Sequence, residues 1–598
     1  TIKEAVGGNT GDGIGGGGSS NNTTVTINGG RIEKAQGGQG YSIFDGGDGI
    51  HSDDALTIPG TASIGSAIGG SGGSDASDRN AGHGIYSGGK LTISGGTITN
   101  AVGGKATGRD AGDGIRAGTL TISGEARIDN ATGGTADSGS AGDGIYSYGK
   151  LTIKDNAKIG TVKGGDATAS GKDGGYGIRN HGQFIMSGGT ITNAVGGKAT
   201  GRTGDGGDGI YCGDTLTIEG GEIQQTTGGT ATGHTGDGGY GIRGNVALTI
   251  KGGKIEQTTG GDATGERGTG GSGIGSNGTL TIAGGEIQQT TGGEATGKSG
   301  TGGSGIRGGS GIRGGSSNKI VEISGGTITK AKGGDGKASG GYGIRSDGEL
   351  KIEGGTIGSL TTDDNGKQIP DPTTGALGGN AATGEQGGHG IYSKGQFFIS
   401  DGANIINTKG GDSQKNGGDG IRSNDMLTIS GGEIKQATGG NATGESGTGG
   451  SGIYSSFVKI LGGIITKAKG GNATDTNSGD GGHGISSDEA LTIQNGNIET
   501  AQGGTSANGT GGNGIFSDGK LSIEKATITN ATGGNADNGT GGSGIRGDGS
   551  SDDFKLYIYS ATIENATGGS GKWGGSGILG KTMEILTSTI KKAIGGRS

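Results

Sequence analysis

The residues best suited to chemistry in this sequence stand one place after the isoleucine of a recurring G-x-G-I tetrapeptide. In order they are His51, Tyr86, Arg116, Tyr146, Arg179, Tyr211, Arg243, Gly275, Arg307, Arg345, Tyr392, Arg422, Tyr454, Ser486, Phe516 and Arg546. From Tyr86 to Arg243 tyrosine and arginine alternate through six successive repeats. Stacked as strands, these repeats bring each guanidinium to about 4.8 Å from a phenol ring. Such a pair attracts through the ring quadrupole by roughly 0.5–1 kcal/mol when exposed. The same strip offers flat rings to sugar faces and forked donors to carboxylates. The candidate ligand-binding residues are therefore Tyr86, Arg116, Tyr146, Arg179, Tyr211, Arg243, Tyr392, Arg422 and Tyr454. A structural ladder is the competing reading, because the alternation keeps like charges off neighbouring rungs.

The variable position of G-x-G-I is often aspartate: Asp12, Asp48, Asp113, Asp143, Asp208 and Asp419. Elsewhere it is His83, Tyr176, Ser272, His389, Ser451 or His483, a variability expected of an exposed position. Calcium β-rolls repeat G-G-x-G-x-D-x-U-x. Here the sixth position is Tyr, Arg or His, so that motif fails. Two local groups still offer oxygen donors to calcium, Asp48 with Asp53 and Asp54, and Asp363 with Asp364 and Asp371. No other cofactor is indicated. A polysaccharide lyase or hydrolase needs a local cluster of carboxylates with Arg or Lys, and no repeat concentrates one on its strands. The six histidines are scattered, and Cys212 lies in G-I-Y-C-G without an evident partner. The chain reads as a non-enzyme. Its G-x-G-x-x-G matches follow from glycine content, and no helix follows them. Threonines of A-T-G (Thr107, Thr200, Thr232, Thr264, Thr296, Thr383, Thr443) read as a hydroxyl ladder rather than an ice-binding face. The parallel threonine column of L-T-I is interrupted by Lys351, Phe398 and Lys459.

The elements that must position these residues follow from the repeat. The G-x-G-I phase marks 18 units between Ile14 and Ile578, mostly 30, 32 or 33 residues apart, with one tandem duplicate at Ile312. Residues 85–115 show one unit: GIYSGGKLTISGGTITNAVGGKATGRDAGDGI, with its leading glycine at 84. Three short segments alternate with period two, a strand signal, and glycine pairs such as Gly95-Gly96 mark corners requiring positive φ. No 3.6-residue period appears. About four aliphatics per unit give roughly 6–12 kcal/mol on burial. That cannot offset the ordering of about 30 backbones at ~1–2 kcal/mol each. Stacking is required, so the fold class is all-β: a glycine-rich parallel β-helix, or β-solenoid, of about 18 coils of ~30–33 residues. Right-handed winding is expected of parallel crossovers. Eighteen coils would span roughly 85–90 Å as a rod.

Composition closes off the alternatives. Glycine supplies 163 of 598 residues while the residues AVILMFWYC reach only 26%, too little for several ordinary cores. Collagen is excluded by three prolines and the lack of a three-residue period. Disorder is countered by the patterned aliphatics and a net charge of only −9. The acidic pI near 5.3 argues against nucleic acid as a partner. No transmembrane segment is present in the sequence. One continuous solenoid is expected over 1–598, uncapped at both ends, with open edges available to flanking domains or other copies. The Ile344–Ile391 interval is 47 residues, and its surplus, holding Pro370 and Pro372, should protrude as a loop at about 359–376. Residues 305–316 duplicate GIRGGS, leaving Ile306 and Ile312 to compete for one column.

The phrase G-D-G-I-Y-S-x-G-x-L-T-I-S-G-G-T-I-T-N resembles bacterial extracellular right-handed β-helix repeats, with nearly the whole chain covered. It is most similar to clostridial-type β-helical carbohydrate-binding domains, and also to adhesin and autotransporter passenger repeats. The resemblance implies an extracellular or cell-surface location. It implies a calcium-tolerant shaft that binds acidic or cellulosic polysaccharide, or displays a surface to a host. The expected function is a structural stalk, fibre, surface-layer component or adhesin shaft. The alternative is a polysaccharide-binding module that uses the Tyr/Arg strip.

Overall fold

The computed structural model describes residues 1–16, 23–40, 44–73, 80–308, 320–384, 386–474, 478–548 and 556–598. They form an all-β parallel solenoid of about 17 turns, with no helix among the described residues. The chain divides into two compact units, Thr1–Leu280 with Gly285–Gly300, and Thr281–Gly284 with Thr301–Ser598. In the first, Ile14, Ile50, Ile85, Ile115, Ile145, Ile178, Ile210, Ile242 and Ile274 pair in register from turn to turn. In the second the same column runs from Ile306 through Ile344, Ile391 and onward to Ile578. Ile306 therefore takes the place offered by the duplicated GIRGGS, while Ile312 lies outside the described residues.

One turn shows how the sequence builds the rest. Ile85–Ile93 alternates inward Ile85, Ser87, Leu91 and Ile93 with outward residues. The aliphatics of this wall are fully buried, as is Ile98. Gly96 turns the next corner at φ 71°, in the left-handed region where a β-carbon is strained. Some turns place Asp155, Asn495 or Lys525 at this corner with φ of 60°, 57° and 49°. The third segment departs from the expected simple alternation. Thr97–Val102 buries Ile98 and Ala101, three residues apart, and the pairing skips one residue between Ile128 and Asn130. A kink lies between the two buried positions and divides this segment into two walls.

The surplus at Ile344–Ile391 enters at that kink. Thr356-Ile357 continues one wall, Gly375–Leu377 resumes the next opposite Lys330–Lys332, and the residues between project. They are more ordered than a loop, because Leu360–Thr362 pairs antiparallel with Gln368–Pro370. Buried Asn407 holds the base, its Nδ2 donating to the carbonyls of Asp371 and Thr374 at 3.2 and 2.7 Å.

The remainder of each turn is rich in glycine, and its order has a specific source. After Val102 the chain runs outward through Gly103-Gly104, turns at Ala106, and returns through Gly112 to Gly114. The outgoing and returning segments face each other, so this part of the turn is a folded-over lobe. Gly112 N–H donates to Gly104 O within the turn, and Gly104 N–H donates to Gly82 O of the turn before. Repetition makes an unbroken staircase of such bonds, 2.7–3.0 Å long, from Gly293 to Gly8 in the first unit and from Gly596 to Gly303 in the second. Alternate amides bond along the stack, as Gly103 N–H does to Thr132 O. Backbone groups buried without side chains thus find partners in two directions. A β-carbon on Gly104 would stand under 3.0 Å from Gly70 O, and one on Gly112 would meet Gly82 O as closely. Alanine closes the tip of the lobe, with Ala106, Ala136, Ala167, Ala199 and Ala231 bridged from turn to turn.

Gly112→Ala should therefore cost at least about 3 kcal/mol, from overpacking and a broken buried hydrogen bond. Lys105→Ala, which removes only an exposed ion pair to Asp137, should cost less than about 1 kcal/mol. Thermal unfolding of the two variants measures the difference.

Candidate functional site

The outward column sits where the sequence places it, and backbone register brings its members together. His51, Tyr86, Arg116, Tyr146, Arg179, Tyr211, Arg243 and Gly275 are directly opposite one another on successive turns of the first unit. Arg345, Tyr392, Arg422 and Tyr454 are so placed in the second. Arg116 lies 4.4 Å over the Tyr146 ring, and Arg179 lies 5.7 Å from the same ring. Arg422 repeats the first geometry over Tyr454 at 4.4 Å. The side chain of Arg307 lies outside the described residues.

The variable position of G-x-G-I behaves otherwise than its variability suggests. Asp113, Asp143, Asp208, Asp419 and His389 are buried, not exposed. Each supplies an acceptor to the backbone of the following turn. Asp113 Oδ1 accepts from Asp143 N–H at 2.7 Å and Asp143 Oδ1 from Tyr176 N–H at 2.7 Å. His389 Nδ1 accepts from Asp419 N–H at 2.8 Å. The position tolerates Asp, Asn and His because all three reach the next amide with an acceptor. Variation among these three reflects shared geometry rather than solvent.

The second carboxylate oxygen serves the strip. With aspartate in its own turn, an arginine pairs locally, as Arg116–Asp113 and Arg422–Asp419 do at 3.0 Å. With tyrosine there, the arginine reaches the turn before, as Arg179 does to Asp143 at 3.6 Å and Arg243 to Asp208 at 3.8 Å. Those tyrosines, Tyr176, Tyr240 and Tyr342, carry further stacking faces at 5.0, 4.9 and 5.0 Å from Arg179, Arg243 and Arg345. From the sequence Tyr176 reads only as an exposed variable residue, and Tyr240 and Tyr342 go unremarked, although the signal is present: each spells Y-G-I-R. Burial pushes Asp143 up to about 7, aided by neighbouring Asp113, and pushes Asp208 up to about 6. Burial also drives His483 down to about 4 and His389 well below its ordinary range.

A further inward column was missed. Two places after the isoleucine, buried serines turn the corner into the second wall. Ser87 Oγ donates to Asp54 O at 2.8 Å, and Ser346 Oγ to Glu349 O at 2.8 Å. Cys212 occupies this column and has the partner it lacked in the sequence. Its buried thiol donates to Gly182 O at 3.1 Å, and burial raises its pKa.

The acidic residues considered for calcium separate. Asp48 and Asp53 converge on His51, whose Nδ1 is 2.6 Å from Asp48 Oδ2 and whose Nε2 is 3.1 Å from Asp53 Oδ1. Asp54 instead takes part through its backbone. Asp12, Asp48 and His51 place one ligand atom each within 4.8 Å of one another, which is a mixed nitrogen and oxygen set rather than the all-oxygen set calcium favours. Asp363 Oδ1 accepts the amides of Asn365 and Lys367, and Asp371 Oδ1 accepts that of Thr373, so both stabilise turns of the projecting hairpin. Asp364 lies in the same turn. Threonines of A-T-G also link turns, as Thr443 Oγ1 donates to Ser413 O at 3.3 Å. No family model, curated protein or solved structure matches the chain.

His51 gives a pH signature. Its hydrogen bond to Asp48 is the largest influence, and together with Asp53 and Asp12 it lifts the imidazole from 6.5 to about 9 against the effect of burial. A raised folded value means the stabilisation is complete below about 6.5 and fades as pH rises through about 9. Melting temperature should therefore fall more between pH 6 and pH 10 for the native chain than for His51→Gln, in which Gln carries no titrating charge. Equal slopes would contradict a charged His51.

Proposed function

We propose that the chain is a structural, non-enzymatic β-solenoid of a bacterial cell surface, of the stalk, fibre, surface-layer or adhesin-shaft kind. The observation that carries this reading is the commitment of the strip to its own fold. Arg116, Arg179, Arg243 and Arg422 are occupied from beneath by Asp113, Asp143, Asp208 and Asp419 and from the side by tyrosine rings. Tyr146 and Tyr392 are themselves buried. Groups so engaged tie each turn to the next, and a ligand would have to compete with partners already in place. The sequence resemblance to extracellular β-helix repeats supports a location outside the cell.

The use of the strip as a polysaccharide platform makes the opposite demand on the same residues. Combined Tyr146→Ala, Arg179→Ala and Tyr211→Ala should lower stability by about 1–3 kcal/mol through lost stacking and charge pairing. Retention on immobilised acidic or cellulosic polysaccharide should be unchanged from the native chain. Unchanged stability together with lost retention would overturn the structural reading in favour of glycan binding.

A further inference from the structure

The strip of the second unit contains a gap. Tyr392, Arg422, Tyr454, Ser486, Phe516 and Arg546 follow one another on successive turns, and serine stands between turns that each carry a cation or a ring. Tyr146 in the first unit shows the filled arrangement, with Arg116 on one face at 4.4 Å and Arg179 on the other at 5.7 Å. Tyr454 has Arg422 at 4.4 Å and only Ser486 in the position corresponding to Arg179. The carboxylate beneath is missing as well. Asp143, which pairs with Arg179, corresponds to Ser451, whose hydroxyl lies 3.0 Å from that of Ser486.

A second carboxylate waits at the rim. Two places after a strip arginine, Asp347 pairs with Arg345 and Asp548 with Arg546. Asp488 holds the same place after Ser486, with no arginine in its own turn's strip position, and the Tyr454 hydroxyl bonds to it instead. Between these groups opens a cavity of about 310 Å³, lined by Asp419, Arg422, Ser451, Tyr454, Ser486 and Asp488. The far wall is the His483 ring resting on Phe516 at 4.5 Å. Burial holds that imidazole neutral, so it does not repel a cation. The charge of Arg422 is directed into Asp419 at 3.0 Å.

We propose that this cavity binds a guanidinium cation, stacked on the open face of Tyr454 and paired with Asp488, so that a ligand supplies the rung that Ser486 leaves out. Guanidinium is the group the column itself uses between rings. Its planarity suits stacking at the strand repeat, and its fork suits a carboxylate, whereas a compact ammonium meets only the second requirement. The source is either an arginine side chain of a protein partner or a free small guanidinium compound.

The test titrates the full chain with Nα-acetyl-arginine methylamide and with agmatine, followed by calorimetry and by chemical shifts of Tyr454. Both should saturate in the millimolar range, as one exposed stack and one ion pair allow, and the corresponding lysine derivative should bind at least tenfold more weakly. Tighter binding of the capped arginine than of agmatine assigns the site to a protein partner, and the reverse order assigns it to a small molecule. Asp488→Asn should weaken binding at least tenfold. Ser486→Arg should fill the gap from within, raising the melting temperature while abolishing binding. The proposal fails if no saturation occurs, if the lysine derivative or a neutral oligosaccharide binds equally well, or if Ser486→Arg leaves binding intact.

Discussion

The hydrogen bond between one glycine and another across the interior is the constraint on which the rest of this structure depends. In an ordinary solenoid, facing walls are held apart by side chains and joined by their packing. Here, in the lobes of the two staircases, two backbone segments approach as they do where Gly112 N–H meets Gly104 O and Gly104 N–H meets Gly82 O. That separation leaves no room for a β-carbon at the facing positions. Glycine is consequently demanded by close approach along the staircase, and by positive φ only at corners such as Gly96. Close-packed interiors transmit such demands from turn to turn, since one protruding atom displaces both neighbours.

The other half of the turn works by a different rule. Ile85, Leu91, Ile93 and Ile98 form a small apolar core whose columns continue through neighbouring turns. Serines at the first corner, aspartates and histidines at the variable position, and threonines in A-T-G each add a polar bond between turns or across a corner. No single turn possesses a sufficient core, and nearly every polar column is aimed at the turn before or after. Stability of this kind is a nearest-neighbour property. The Tyr/Arg strip fits the same scheme, for the charges of Arg116, Arg179, Arg243 and Arg422 are matched by buried carboxylates rather than left to solvent.

Much of this was legible in the sequence. The recurrence of G-x-G-I fixes the repeat, and the alternation of Leu91, Thr92 and Ile93 gives the strands and the inward face. The outward column followed directly, because one residue's displacement from a buried isoleucine reverses its direction. What was less legible depends on contacts between turns. The variability of Asp113, His83 and Tyr176 suggested exposure, yet Asp113 is buried and His83 and Tyr176 are half-buried, because aspartate and histidine accept the next turn's amide there while tyrosine stacks on the strip arginine. The kink between Ile98 and Ala101 was hidden by a spacing of three, which belongs to neither a plain strand nor a helix. The prolines mark where the surplus of the Ile344–Ile391 interval lies, but the internal pairing of the hairpin depends on Leu360–Thr362 meeting Gln368–Pro370. Cys212 was isolated in sequence because its acceptor, Gly182 O, lies a full turn earlier.

The glycine staircase makes a claim that hydrogen exchange can test directly. If the cross-interior bonds hold the lobe closed, the amides of Gly104, Gly112 and Gly134 exchange as slowly as those of Ile98 and Ile115, which lie in the apolar half of the same turns. Residue-resolved exchange of the full chain near neutral pH measures both sets together. Comparable protection across the two halves is the result this account predicts. Exchange of the three glycines at the rate of a solvated loop, with the isoleucines still protected, would contradict it.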